Sequence, residues 1–342
     1  MPINKFNHLS FTLFFFILLN VSFLKAQEVG YKLDFFGYAD NREYGSSYTQ
    51  DKTIFGTSIA PQMYFKLNEN HVLYGGIHYN QDFGSHPEDK RLFTPITYYN
   101  YTSSNIDFAI GFIPRYERLK DIPRVVLADT FMYDRPNIEG MYFQYIKGSF
   151  EQRVFIDWLS KQSDKRREQF AAGISGVFRQ GLFYVNHAGL LYHNALTSND
   201  AIDEHVQDNA VVTAKIGLDI SEKTFFDSLT VDAGAVVGFD RIRSKYEMRI
   251  TKGFITTQHI GYKRFDATNT LYLGQTQYLP NGDPFYRRGQ YDRLDLGWTP
   301  FKSRAIEAKL VLSFHFTRDR VDNQQAFTLR YKFDQSLWRK HK

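Results

Sequence analysis

From Gln27 onward, apolar and polar residues alternate with a period of two. Between Ala305 and Thr317, Ile306, Ala308, Leu310, Leu312, Phe314 and Phe316 share one row, while Glu307, Lys309, Ser313, His315 and Thr317 share the other. Val212, Ala214, Ile216, Leu218 and Ile220 stand against Thr213, Lys215, Gly217 and Asp219. Leu229, Val231, Ala233, Ala235, Val237 and Phe239 stand against Thr230, Asp232, Gly234, Gly238 and Asp240. The last such run sets Phe327, Leu329, Tyr331 and Phe333 against Thr328, Arg330 and Lys332. Alternation of this kind predicts half-buried strands. Runs of about ten residues exceed the usual soluble strand and match a tilted strand crossing hydrocarbon.

The connections alternate in length. Short turns are expected at Asn68–Asn70, Thr102–Asn105, Lys147–Ser149, Arg179–Gly181, Asp266–Asn269 and Pro300–Arg304, with a longer one at Ser221–Ser228. Longer polar segments are expected at Asp40–Lys52, Gln81–Leu92, Arg115–Pro136, Ser160–Glu168, Ala195–Asp208, Asp240–Lys252, Gln277–Gln290 and Arg318–Gln324. Short turns on one side and long loops on the other are the pattern of a transmembrane β-barrel. Eight hairpins give an all-β, single antiparallel barrel of about sixteen strands. An open edge would leave backbone groups unpaired in lipid, so the strand near Val29 is expected to pair with the one ending near Phe333. Tyr98, Tyr99, Tyr101, Trp158, Tyr184, Tyr192, Trp298 and Phe301 are candidates for the interfacial aromatic girdles.

Residues 1–26 read as a cleaved signal peptide, with Lys5 ahead of the apolar run Phe11–Leu19 and Ala26 at the cut. Residues 27–334 form the expected barrel and 335–342 a basic C-terminal tail. Export places the chain in the outer membrane of a Gram-negative bacterium. The absence of cysteine excludes disulfide scaffolds, thiol catalysis and cysteine metal sites. An aromatic content of 17% excludes a disordered polymer. The net charge of +5 falls by two when Lys5 and Lys25 leave with the signal segment. Bases are interleaved with acids, as in Asp164–Glu168, so no nucleic-acid partner is expected.

Five motifs occur in order: Asp40-Asn-Arg-Glu-Tyr44, Thr53-Ile-Phe-Gly-Thr57, Phe83-Gly-Ser85, Arg135-Pro-Asn-Ile-Glu-Gly140 and Asp322-Asn-Gln-Gln-Ala-Phe327. Together they resemble a Bacteroidota-type family of porin-like outer-membrane barrels without an established activity. The resemblance implies the barrel and the outer membrane, and it implies no substrate and no catalytic residues.

The longest loop, Arg115–Pro136, carries apolar Val125, Val126, Leu127, Phe131 and Met132 together with Pro123. It has something to bury, and it is expected to fold into the lumen as a pore constriction. Its charges are Arg115, Glu117, Arg118, Lys120, Asp121, Arg124, Asp129, Asp134 and Arg135. Opposed charges across a constriction orient polar solutes. A second set, Lys32, Asp34, Lys66, Asp157, Lys215, Asp219, Asp232, Asp295, Glu307, Lys309, Arg330 and Lys332, lies on polar rows and is expected to line the lumen. Charge on the lipid face costs about 2–4 kcal/mol at the bilayer midplane.

Ten histidines show no metal-ligand spacing, and no cofactor is expected. Ser313 and His315 sit two apart on a lumen row, the wrong face for a lipid substrate, and no enzymatic activity is expected. The expected role is passive or weakly selective diffusion of small polar solutes. The alternative is a non-conducting subunit of an outer-membrane complex. Expected partners are outer-membrane lipid, lipopolysaccharide, the solutes, and other copies or complex members.

Overall fold

A computed structural model describes residues 27–45, 49, 51–86, 92–199 and 204–339. The signal segment expected at 1–26 lies outside the described residues. The strands are β1 (Glu28–Glu43), β2 (Lys52–Lys66), β3 (His71–Asp82), β4 (Phe93–Thr102), β5 (Ile106–Pro114), β6 (Asn137–Lys147), β7 (Phe150–Ser160) and β8 (Gln169–Gln180). They continue as β9 (Phe183–Asn194), β10 (Gln207–Asp219), β11 (Ser228–Ile242), β12 (Arg249–Tyr262), β13 (Phe265–Gly274), β14 (Gln290–Lys302), β15 (Ile306–Thr317) and β16 (Arg320–Arg339). Each pairs antiparallel with its chain neighbours, and β1 pairs with β16, which closes the barrel. Closure leaves no edge to face lipid. Among the described residues no helix is long and apolar enough to cross a membrane.

Strand β2 shows how composition sets the two faces. Phe55 and Ile59 are 51% and 38% exposed, while Ile54 and Ser58 between and beside them are 3% and 5% exposed. The exposed row is apolar and faces lipid; the other row faces the lumen. Directly opposed residues on neighbouring strands share a face. Register therefore carries the lumen row around the barrel, through Asp34 opposite Lys332, Glu307 opposite Arg330, Ser313 opposite Asp295 and His315 opposite Arg293.

Several connections differ from expectation. The turn expected at Asp266–Asn269 is Lys263-Arg264, with Lys263 at φ 55°, because Asp266 and Thr268 are polar as lumen residues of β13. The long segment expected at Arg318–Gln324 is the tight turn Arg318-Asp319. Asp322 and Gln324 there are lumen residues of β16, both buried. Gly148 and Gly181 open two-residue turns at φ 56° and 59°, a conformation that glycine adopts without strain. Residues 335–339, expected as tail, extend β16, with Trp338 opposite Val29. Trp158, Trp298 and Phe301 are exposed on the outer face, whereas Tyr98, Tyr184 and Tyr192 lie on the lumen row and are not girdle residues.

Candidate functional site in the barrel lumen

The segment between β5 and β6 turns into the barrel. It carries two single-turn helices, α1 (Tyr116–Leu119) and α2 (Phe131–Asp134). Leu119, Ile122, Val125, Val126 and Leu127 are buried in one cluster with Ile96, Ile113 and Ile138 of the wall. Burying five aliphatic side chains, at roughly 1.5–3 kcal/mol each, holds the segment inside.

Its charges are tied to the wall on several sides. Arg115 donates from Nη2 to Asp157 Oδ2 at 2.5 Å and to the carbonyl of Asn137 at 2.6 Å, and from Nε to the carbonyl of Arg135 at 2.7 Å. Arg135 reaches the carbonyl of Leu159 at 3.0 Å. Arg118 bridges Asp107 at 2.6 Å and Asn100 at 2.7 Å and lies 4.5 Å over the ring of Tyr142. Glu117 pairs with Lys332 of β16 and with Lys120 at 3.4 Å. Asp121 faces Arg153 of β7 at 3.6 Å. Arg124 pairs with Asp295 of β14 at 3.3 Å, and Asp129 with Arg42 of β1 at 3.0 Å. Asp134 closes α2.

Burial disfavours the charge on Asp129, but Arg42, Arg124 and Arg293 outweigh it and hold this carboxyl well below the usual range. Asp283 is the opposite case: burial pushes its carboxyl up, with Arg293 opposing.

A second inward loop, between β13 and β14, was not singled out in the sequence. Its signal was the same as in the first: apolar Leu279, Phe285 and Tyr286 inside a polar stretch, and all three are buried. The two loops clasp. Ala128 donates its N–H to the carbonyl of Asn281 at 2.7 Å, and Asp283 donates its N–H to the carbonyl of Arg124 at 2.9 Å. Beneath them Arg293 donates to Asp295 at 2.7 Å and to Ser313 at 3.1 Å. His315 is buried, stacks on Phe285 at 4.3 Å and lies 2.8 Å from the hydroxyl of Tyr291. Ser313 and His315 thus bond to different partners and form no dyad with each other.

The infolded loop leaves a cavity on each side. Against β1–β3 and β16 the lining includes Phe36, Tyr38, Ala60, Met132 and Arg330, with Ser58 and His78 in the wall. Ser58 Oγ lies within hydrogen-bond reach of His78 Nε2. Tyr38 donates to Asn80 at 2.8 Å and to Asp82 at 2.7 Å, and Asn80 donates to the carbonyl of Tyr133 at 2.7 Å, so α2 roofs this cavity. The pair escaped the sequence reading because its members are on different strands and meet only through register. Against β7–β11 a cavity of about 350 Å³ is lined by Asp121, Glu151, Arg153, Arg179, Lys215 and Asp219.

The remaining expected lumen residues are on the lumen row, and of these Arg330 meets the loop at Tyr116. Lys32 pairs with Asp334 at 3.3 Å, Lys66 with Glu28 at 3.9 Å, and Lys309 with Asp266 at 2.8 Å. Glu307 pairs with Lys302 at 3.9 Å and Lys215 with Asp232 at 2.7 Å. Asp34 accepts from Gln62 at 3.1 Å; Asp219 accepts from Ser221 at the strand end; Arg330 lies over the rings of Phe36 and Tyr116. Among the described residues no group of three or more His, Asp or Glu is arranged to hold a metal ion.

Solved structures similar to this chain are porin barrels. Outer-membrane OmpT of Vibrio cholerae is 9% identical with a TM-score of 0.55, over 89% of this chain and 97% of that one. An anion-selective porin of Comamonas acidovorans is 9% identical with a TM-score of 0.54, over 90% and 100%. Salmonella typhi OmpF in complex with daunomycin is 10% identical with a TM-score of 0.51, over 91% and 99%. At these identities the likeness concerns the fold alone, a closed outer-membrane β-barrel. No curated protein matches. The family described as Lipid A 3'-O-deacylase-type matches residues 21–340. That is an enzyme family, which overturns the expectation that the protein has no enzymatic activity. That expectation tested only the Ser313–His315 pair and missed Ser and His residues brought together across strands. The chain belongs to the Lipid A 3'-O-deacylase-type family and carries it on a closed sixteen-stranded barrel.

Proposed function

We propose that the protein is an outer-membrane acyl-ester hydrolase whose reaction centre is the cavity between the infolded loop and β1–β3. The observation that carries this reading is the Ser58–His78 contact in the wall of a mostly apolar cavity, in a chain of a deacylase family. His78 Nε2 takes the Ser58 proton as Oγ attacks the ester carbonyl. The alkoxy group leaves with that proton, and the acyl group stays on Ser58 until water, deprotonated by His78, releases it as a fatty acid. Phe36, Ala60 and Met132 offer an apolar wall to the acyl chain. The family name makes lipid A the first substrate to try; because Ser58 and His78 face the lumen, its acyl chain would have to enter the barrel from the long-loop side rather than from the lipid-facing wall.

The test is fatty-acid release by the purified barrel in micelles, from lipid A and from a water-soluble acyl ester. Ser58→Ala is expected to slow release by about 100-fold or more while leaving the fold intact. No release by the unaltered protein from either ester, or full activity in Ser58→Ala, overturns the reading.

A second reading is favoured by the other cavity, whose lining mixes Asp121, Glu151 and Asp219 with Arg153, Arg179 and Lys215. On it, small polar solutes diffuse along the β7–β11 wall, and the charges of the Arg115–Arg135 loop form the constriction. Deleting Arg118–Asp129 is then expected to raise single-channel conductance in planar bilayers. Unchanged conductance counts against it.

A further inference from the structure

We propose that the outer wall of the barrel carries a binding site for a phosphorylated glycolipid of the outer leaflet, along one registered row at the extracellular ends of β7–β11. The row is set by strand pairing: Trp158 opposite Phe170, Phe170 opposite His193, His193 opposite Asp208, and Asp208 opposite Arg241. All five share the face of exposed Val154, Ile174, Leu191 and Val212, so they point away from the lumen. Arg243 follows two residues after Arg241 and is exposed.

The row has two chemical halves. Trp158 and Phe170 stack at 5.4 Å, and His193 continues the rings 5.0 Å beyond Phe170. An aromatic ledge at this height takes the apolar face of a sugar or the start of an acyl chain. The other half is charged. Asp208 accepts from His193 Nδ1 at 2.7 Å and from Arg243 Nε at 2.8 Å, so both its oxygens are occupied by groups it orients. That leaves the rest of the Arg243 fork for an acceptor outside the protein. Arg241 has a buried Nε with no hydrogen-bond partner. Two guanidinium groups against one carboxylate leave a net positive charge on a wall that meets only lipid or another protein.

The occupant that fits is set by position. The row sits where the strands leave hydrocarbon on the long-loop side, the level of the outer-leaflet headgroups. Phosphate matches a guanidinium fork, and a sugar matches the ring ledge beside it. A phosphorylated glycolipid carries both groups; a phospholipid carries the phosphate without the sugar ring.

The site is outside the wall and independent of the lumenal cavity. Its test is lipid retention, scored by native mass spectrometry after the barrel is exchanged into detergent with bisphosphorylated lipid A, its dephosphorylated form, or phosphatidylglycerol. Unaltered protein is expected to retain lipid A. Arg241→Ala with Arg243→Ala should retain at least tenfold less, Trp158→Ala less as well, and dephosphorylated lipid should be held as weakly as by the double variant. Release of fatty acid from a water-soluble ester should be unchanged in the double variant, which separates this site from the lumenal reaction. Equal retention of lipid A by all variants overturns the proposal. So does equal retention of phosphatidylglycerol, which would mean a generic anionic surface, or a dimer lost in Trp158→Ala, which would mean a protein interface.

Discussion

Arg115 and Asp157 form an ion pair at 2.5 Å in which each side chain is only 1% exposed. The pair joins the root of the infolded loop to β7, and Asp157 Oδ1 also accepts the N–H of Glu139 at 2.9 Å. Removing one partner strands a buried charge, at a cost of about 3–5 kcal/mol. Asp157→Ala is expected to lower the temperature at which the barrel loses its compact gel migration. A melting temperature equal to that of the unaltered protein would show that the loop root does not depend on this pair.

The carboxyl of Asp129 titrates well below the ordinary carboxylate range because three arginines surround it. A depressed folded-state pKa contributes stability above the unfolded value, and that contribution is lost only as pH falls through the folded value. Asp283 has the opposite sign: its raised pKa favours the folded state at low pH. The clasp between the two loops should therefore survive mild acid near pH 4. Asp129→Asn should loosen it at neutral pH, read as faster trypsin cleavage after Arg124. Equal cleavage of variant and unaltered protein at pH 7 would remove Asp129 from the clasp.

Lipid-facing and lumen-facing positions of one strand should respond differently to charge. Val212 lies exposed on the outer row of β10, whereas Lys215 is on the inner row and paired with Asp232. Val212→Arg is expected to destabilise the barrel by about 2–4 kcal/mol if it lies near the midplane. Urea unfolding in lipid vesicles measures this, and a shift below about 0.5 kcal/mol would contradict the facing.

Strand β16 pairs with β1 beyond Phe333, through Gln335 opposite Tyr31 and Trp338 opposite Val29. Deleting residues 335–342 removes the pairing that seals the start of β1. Assembly yield into lipid vesicles, scored by heat-modifiable migration, is expected to fall sharply. Normal yield would show that closure needs only the part of β16 up to Asp334.

The barrel was legible because its period-two rows obey one rule over the whole circumference. Strand ends were read less well wherever lumen polarity mimics loop polarity. Asp322 and Gln324 looked like loop residues and are buried lumen residues. Tyr98 and Tyr192 looked like girdle residues, but their parity sends them inward. The apolar run Val125–Leu127 announced that its loop had something to bury; Phe285 with Tyr286 carried the same signal for the second loop, where it went unread. The Ser58–His78 contact left no local trace, since twenty residues and a strand register separate its members.

A closed sheet of sixteen strands fixes a circumference but not the shape that circumference encloses. A ring of this size is free to flatten under the lateral pressure of the bilayer. The segment from Arg115 to Pro136 acts as a strut against that. It is bolted to β7 through Asp157, to β5 through Asp107, to β1 through Arg42, to β14 through Asp295 and to β16 through Lys332. Anchors on so many bearings tie distances across the ring to its longest loop.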